Sequence, residues 1–156
     1  MKTAEDIVKN RKLGSLITTK ADATVYEALQ LMVCNKVGAI LIMEDEKVIG
    51  IWTERDLMKD VVKEGFDPKT AVIRDYMTTG LQSAPHTDSV HQLMDRFLGL
   101  YLRHLLVEKD GEYIGLVSIG DVIKACLHEK NEELKDLHEI VSWDYYENWR
   151  WHEDSK

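Results

Sequence analysis

The chain carries one unit twice. From Leu16 it aligns with itself from Leu81 at a constant offset of 65, without a gap, as far as 62 against 127. Leu16 falls on Leu81, Val25 on Val90, Leu41 on Leu106 and Asp45 on Asp110. Ile49-Gly50 falls on Ile114-Gly115, Asp56 on Asp121 and Lys59 on Lys124. Register and residue class both hold, which marks an internal repeat. The unit spans about 47 residues, too few to bury an adequate core alone, so two copies must pack together. Gly65 and Pro68 mark the linker, near 63–80.

Each copy reads β-α-β-β-α. Leu16-Ile17-Thr18 and Leu81-Gln82-Ser83 read as short strands. Thr24 with Glu27, and Ser89 with Gln92, have capping-box spacing at a helix start. Apolar residues follow at helical spacing: Val25, Ala28, Leu29, Met32 and Val33, then Val90, Leu93, Met94, Phe97 and Leu98. Ala39–Met43 and Leu105–Val107 are apolar strands, each followed by a polar turn and a second strand, making hairpins. A second helix opens at Thr53 or Ser118. It carries Leu57, Met58 and Val61 in one copy and Val122, Ile123 and Cys126 in the other. Short lead-ins, Asp6-Ile7-Val8 and Arg74-Asp75-Tyr76-Met77, stand before the copies at unequal spacing. The expected domains are 1–63 (lead-in and first unit), 64–128 (linker and second unit) and an acidic tail, 129–156.

Charge and composition remove several function classes. The net charge of −8 disfavours DNA or RNA as the main partner. Nine acids and four bases of the tail supply most of that charge, so the body is nearly neutral and compatible with a small anion. No apolar run is long enough for a membrane span. The start, MKTAEDIVKN, does not read as a signal peptide. The only two cysteines, Cys34 and Cys126, fall in apolar helical patterns and read as core residues of a cytoplasmic protein. The six histidines lack tight metal spacing, so no metal site is expected. No nucleophile elbow, P-loop or paired catalytic acids occur, and no catalytic residue is expected.

The chemistry-bearing segments are Gly-Ile-Trp-Thr-Glu-Arg-Asp at 50–56 and Gly-Leu-Val-Ser-Ile-Gly-Asp at 115–121. Each has a hydroxyl at a helix start and an acid three residues later. One reading is a helix cap with an acid in the first turn. The other adds a ligand: a helix N-terminus suits a phosphate, and a carboxylate accepts hydrogen bonds from ribose hydroxyls. Recurrence in both copies favours the second reading.

With these motifs, residues 3–128 resemble a tandem pair of cystathionine-β-synthase-type (CBS) domains, a Bateman module. Gly-x-x-Thr/Ser-x-x-Asp after a hairpin is that family's adenosine-binding signature, and Leu102-Arg103-His104-Leu105 also matches its pattern. The resemblance implies an α/β fold of two units packed by pseudo-two-fold symmetry. It implies a non-catalytic regulatory module taking an adenosyl ligand in the cleft between the units. AMP or NAD comes first among these ligands, with ADP, ATP or S-adenosylmethionine also compatible. Asp56 and Asp121 would hold the ribose, and Thr53 and Ser118 would reach the ribose or α-phosphate. Ile17, Thr18, Gly38 and Ala39 would line the first adenine pocket. Gln82, Ser83, Leu102 and Arg103 would line the second. Arg103 and His104 would bind phosphate, and Arg55, the cation on the first motif helix, is a further nucleotide-binding candidate. A homodimer and an unidentified regulated protein are the implied partners.

The copies are not equivalent. Arg55 precedes Asp56 where Gly120 precedes Asp121, and Gly38-Ala39 aligns with Arg103-His104. Leu106 and Lys20-Ala21 stand where similar sequences often have proline, whereas Pro85 is present. In the tail, Glu129–Trp143 reads as an amphipathic helix, with Leu134, Leu137, His138 and Val141 on one stripe. Trp143, Tyr145, Tyr146, Trp149 and Trp151 then crowd nine residues. They are expected to pack on the body or on a second subunit. The alternative function is an interaction scaffold with vestigial nucleotide sites, working through this tail.

Overall fold

A computed structural model describes residues 1–9 and 16–133. The order is α1 (Ala4–Lys9), β1 (Thr18–Lys20), α2 (Val25–Asn35), β2 (Ala39–Glu44), β3 (Lys47–Thr53) and α3 (Glu54–Asp60). A 3-10 turn at Ile73–Asp75 follows, then β4 (Ser83–Pro85), α4 (Val90–Leu100), β5 (His104–Lys109), β6 (Glu112–Ser118) and α5 (Ile119–Glu133). Two three-stranded sheets result, β1-β2-β3 and β4-β5-β6. The α/β class and the repeated β-α-β-β-α unit are both present.

The repeat extends to backbone detail. Thr24 and Ser89 both complete capping boxes. Helices α2 and α4 both end on a left-handed residue, Lys36 and Tyr101. Both hairpins turn on two residues with positive φ, Asp45-Glu46 and Asp110-Gly111, as two-residue hairpin turns require. The register shifts at Ile42/Met43 in one sheet and at Val107/Glu108 in the other.

The first strands differ from the expectation: they begin at Thr18 and Ser83, not Leu16 and Leu81. They are three-residue edge strands, too short for an alternating pattern to register, although Ala84 of β4 is fully buried. Pro85 is tolerated because an edge strand can lose a ladder donor.

The packing units cross the chain order. One unit joins the N-terminal lead-in to the second repeat; the other joins the first repeat to the segment up to Ser83. Ala4 and Ile7 of α1 enter a core with Val90, Leu93, Phe97 and Leu105. Ile73 enters the other core, with Val25, Met32, Ile40 and Trp52. Thr3 bridges to Ser89 and Val72 to Thr24, so the lead-ins are equivalent at an offset of 69 rather than 65. The expected domain 1–63 joins the lead-in to the first repeat in sequence order, whereas α1 packs on the second repeat.

Some expected core positions face out. Val33 of α2, Met58 of α3, Val61 just past the end of α3 and Leu98 of α4 are exposed. Cys34 is exposed and corrects its core placement, whereas Cys126 packs against the second core. The stripe buried against the sheet is Val25, Ala28 and Met32, and Cys34 does not share it. Helix α5 runs without a break through 128/129 to Glu133. The aromatic cluster and the stripe from Leu134 lie outside the described residues.

Candidate functional site

In each unit, a strand ends, a cap turns the chain, and a helix begins beside the start of the neighbouring strand. Ala39 pairs with Thr53 and His104 with Ser118, the last residues of β3 and β6. The backbone N–H of Glu54 donates to the Gly38 carbonyl at 3.0 Å, and that of Ile119 to the Arg103 carbonyl at 3.0 Å. Gly38, Ala39, Thr53 and Asp56 are thus brought together, as are Arg103, His104, Ser118 and Asp121. Thr18 pairs in parallel with Leu41, and the Leu41 N–H donates to the Ile17 carbonyl at 3.0 Å. Ile17 and Thr18 therefore stand at the same end of the sheet. Ser83 opens the corresponding edge strand, preceded by Gln82, and half-buried Leu102 packs against the second core.

The acids cap their own helices. Thr53 donates to Asp56 Oδ2 from its N–H at 2.9 Å and from its hydroxyl at 3.0 Å. Ser118 does the same to Asp121 Oδ2, at 2.7 Å for each bond. The same geometry occurs at Thr3 and Asp6, with both bonds at 2.9 Å. Thr3–Asp6 lies outside the motif, so the hydroxyl–acid pair is a cap in its own right. What sets 53–56 and 118–121 apart is the adjoining strand start.

The motif's glycine has a packing explanation. A Cβ on Gly50 would collide with the Met77 side chain, and one on Gly115 with Val8. Each lead-in closes onto the hairpin glycine of its own unit. The sequence hid this because the offset changes between repeat and lead-in.

Charge separates the two sites. Glu54, Arg55 and Arg103 are exposed, while Asp56, His104 and Asp121 are half-buried. A Cβ on Gly38 would stand 3.1 Å from Glu54 Cδ and collide with the carboxylate. Glu54 therefore lies over Gly38, a role the motif reading missed. The aligned pair is Arg103 with Ile119, a signal visible at the offset of 65. Among the described residues, no group of three metal-ligating side chains occurs. No described helix is long and apolar enough to cross a membrane. An open groove of about 560 Å³, lined by Thr19, Lys20, Asp22, Glu27, Gln30 and Cys34 among others, contains none of the expected site residues.

The CBS domain family model matches residues 4–63 and 73–128. The chain is a CBS-domain protein. The mitochondrial CBS domain-containing protein CBSX3 of Arabidopsis thaliana is 34% identical over 152 residues, covering 92% of this chain and 73% of that protein. A putative signal-transduction protein with CBS domains from Burkholderia ambifaria superposes with a TM-score of 0.77 at 29% identity. That match covers 82% of this chain and 96% of the other. The CBS domain protein PAE2072 of Pyrobaculum aerophilum, solved in complex with AMP, superposes with a TM-score of 0.69 at 22% identity. It covers 82% of this chain and 97% of that one.

Proposed function

We propose that this CBS pair is a non-catalytic regulatory module that binds an adenosine nucleotide, AMP first and NAD second, at the motifs 50–56 and 115–121. The observation that carries the reading is the repeated junction of strand start and capped helix, where Asp56 and Asp121 stand beside Gly38-Ala39 and Arg103-His104. The AMP bound to PAE2072 supports the ligand class. Asp56 and Asp121 would take the ribose hydroxyls, since an ionised carboxylate is an acceptor only. Arg103 would meet phosphate, as a guanidinium suits it by charge and geometry.

The signal would pass through a homodimer. Val33 and Leu98, Met58 and Ile123, and Val62 and Leu127 are exposed apolar residues at matched positions of the two repeats. The same outer face is therefore apolar in both, which suits association. Native mass spectrometry of freshly purified protein tests both parts. A dimer carrying a nucleotide mass supports the reading. A bare monomer at micromolar concentration, with no mass shift after adding AMP, contradicts it.

A further inference from the structure

The two junctions carry opposite charges. In the first repeat, position 38 has no side chain and the Glu54 carboxylate lies over it. In the second, the equivalent strand position carries Arg103, and the equivalent helix position carries neutral Ile119. Both pairs are held by the same backbone hydrogen bond, 54 to 38 and 119 to 103, so the comparison is between matched places. Among the described residues, the side chains of Glu54 and Arg103 make no hydrogen bond or ion pair. Both are exposed, and Glu54 takes no part in the capping box of α3, which Thr53 and Asp56 make.

We propose that the two sites sort adenosyl ligands by charge: the first repeat takes an adenosyl group without phosphate, and the second takes the adenosyl phosphate. The proposal rests on the adenosine-nucleotide reading above. A dianionic phosphate reaching Thr53 at the start of α3 meets the Glu54 carboxylate beside it as well as Asp56 in the same turn, with Arg55 the cation between them in sequence. At position 103 it meets a guanidinium. Like charges a few ångströms apart repel strongly where water is partly excluded. Uncharged adenosine loses nothing at the first site, because its ribose hydroxyls and base carry no charge for Glu54 to oppose.

The test is calorimetry with adenosine and with AMP on the wild-type protein, Glu54→Gln and Arg103→Ala, with the occupied site read from backbone amide shifts. Adenosine is expected to move the amides of Thr53 and Asp56, and AMP at low ratio those of Ser118 and Asp121. Arg103→Ala should weaken AMP by about tenfold and leave adenosine within about twofold, the pattern of a lost charge contact. Glu54→Gln should strengthen AMP at the first site by about threefold or more, an effect that shrinks as salt is raised. AMP filling the first site before the second, or a first-site AMP affinity unchanged by Glu54→Gln, overturns the sorting while leaving nucleotide binding intact. No heat and no shift with either ligand overturns the nucleotide reading itself, and the sorting with it.

Discussion

The indole N–H of Trp52 donates to Asp60 Oδ2 at 2.9 Å, with both residues buried in the first unit. The other carboxylate oxygen accepts from Lys63 Nζ at 2.6 Å, and that ammonium stands 5.2 Å from the centre of the Tyr76 ring. The aligned pair in the second repeat is Val117 and Ala125, both apolar and buried. At this place one unit thus has a polar pair where the other packs two apolar residues. Asp60→Ala leaves the indole N–H without an acceptor and is expected to cost about 1–3 kcal/mol. Asp60→Asn keeps an acceptor and is expected to cost clearly less. Urea unfolding followed by circular dichroism checks both, and equal losses for the two variants would contradict the account.

The hairpin glycines differ in what they face. Gly115 lies against the β-branched Val8, whose rotamers are few; Gly50 lies against the flexible Met77. Gly115→Ala is expected to cost about 1–3 kcal/mol by overpacking, and Gly50→Ala less. Thermal unfolding of the two variants ranks them.

What the sequence made legible was whatever stays inside one repeat. The capping residues, the hairpin turns and the junctions at Thr53 and Ser118 all followed from the offset of 65. What escaped were long-range contacts and weak local signals. Strands β1 and β4, at three residues each, are too short to show alternation. Val33, Met58 and Val61 continue an apolar pattern on a face that no described element covers, so periodicity alone overstates the core. The packing of α1 on the second repeat, and of Glu54 over Gly38, joins residues whose proximity no local pattern encodes.

The two hairpin turns offer a stability test. Glu46 holds φ at 62° where its counterpart is Gly111 at 83°. A side chain in the left-handed region costs about 1–2 kcal/mol, so Glu46→Gly is expected to stabilise by about 1 kcal/mol. A lower melting temperature for this variant would show that the turn does not carry that strain.

Acid should loosen α1 from the second repeat. Lys109 Nζ and Lys9 Nζ both stand 2.8 Å from Glu5 Oε1. Hydrogen bonds from Lys109 first, then Lys9, lower the Glu5 carboxyl from 4.5 to about 2. The folded value lies below the unfolded one, so this contribution is complete above the unfolded value of 4.5 and is lost as pH falls toward 2. The stability gap between wild type and Glu5→Gln should be present at about pH 7 and close on acidification. A gap that does not change with pH would assign the role of Glu5 to packing.

The central claim is that the repeated motif holds an adenosine nucleotide. Titration calorimetry with AMP on the intact chain, beside the variant combining Asp56→Ala and Asp121→Ala, tests it most directly. The account predicts saturable heat for the wild-type protein and none for a variant whose circular dichroism shows it still folded. Absence of AMP binding by the wild type, or equal binding by the folded double variant, would contradict it.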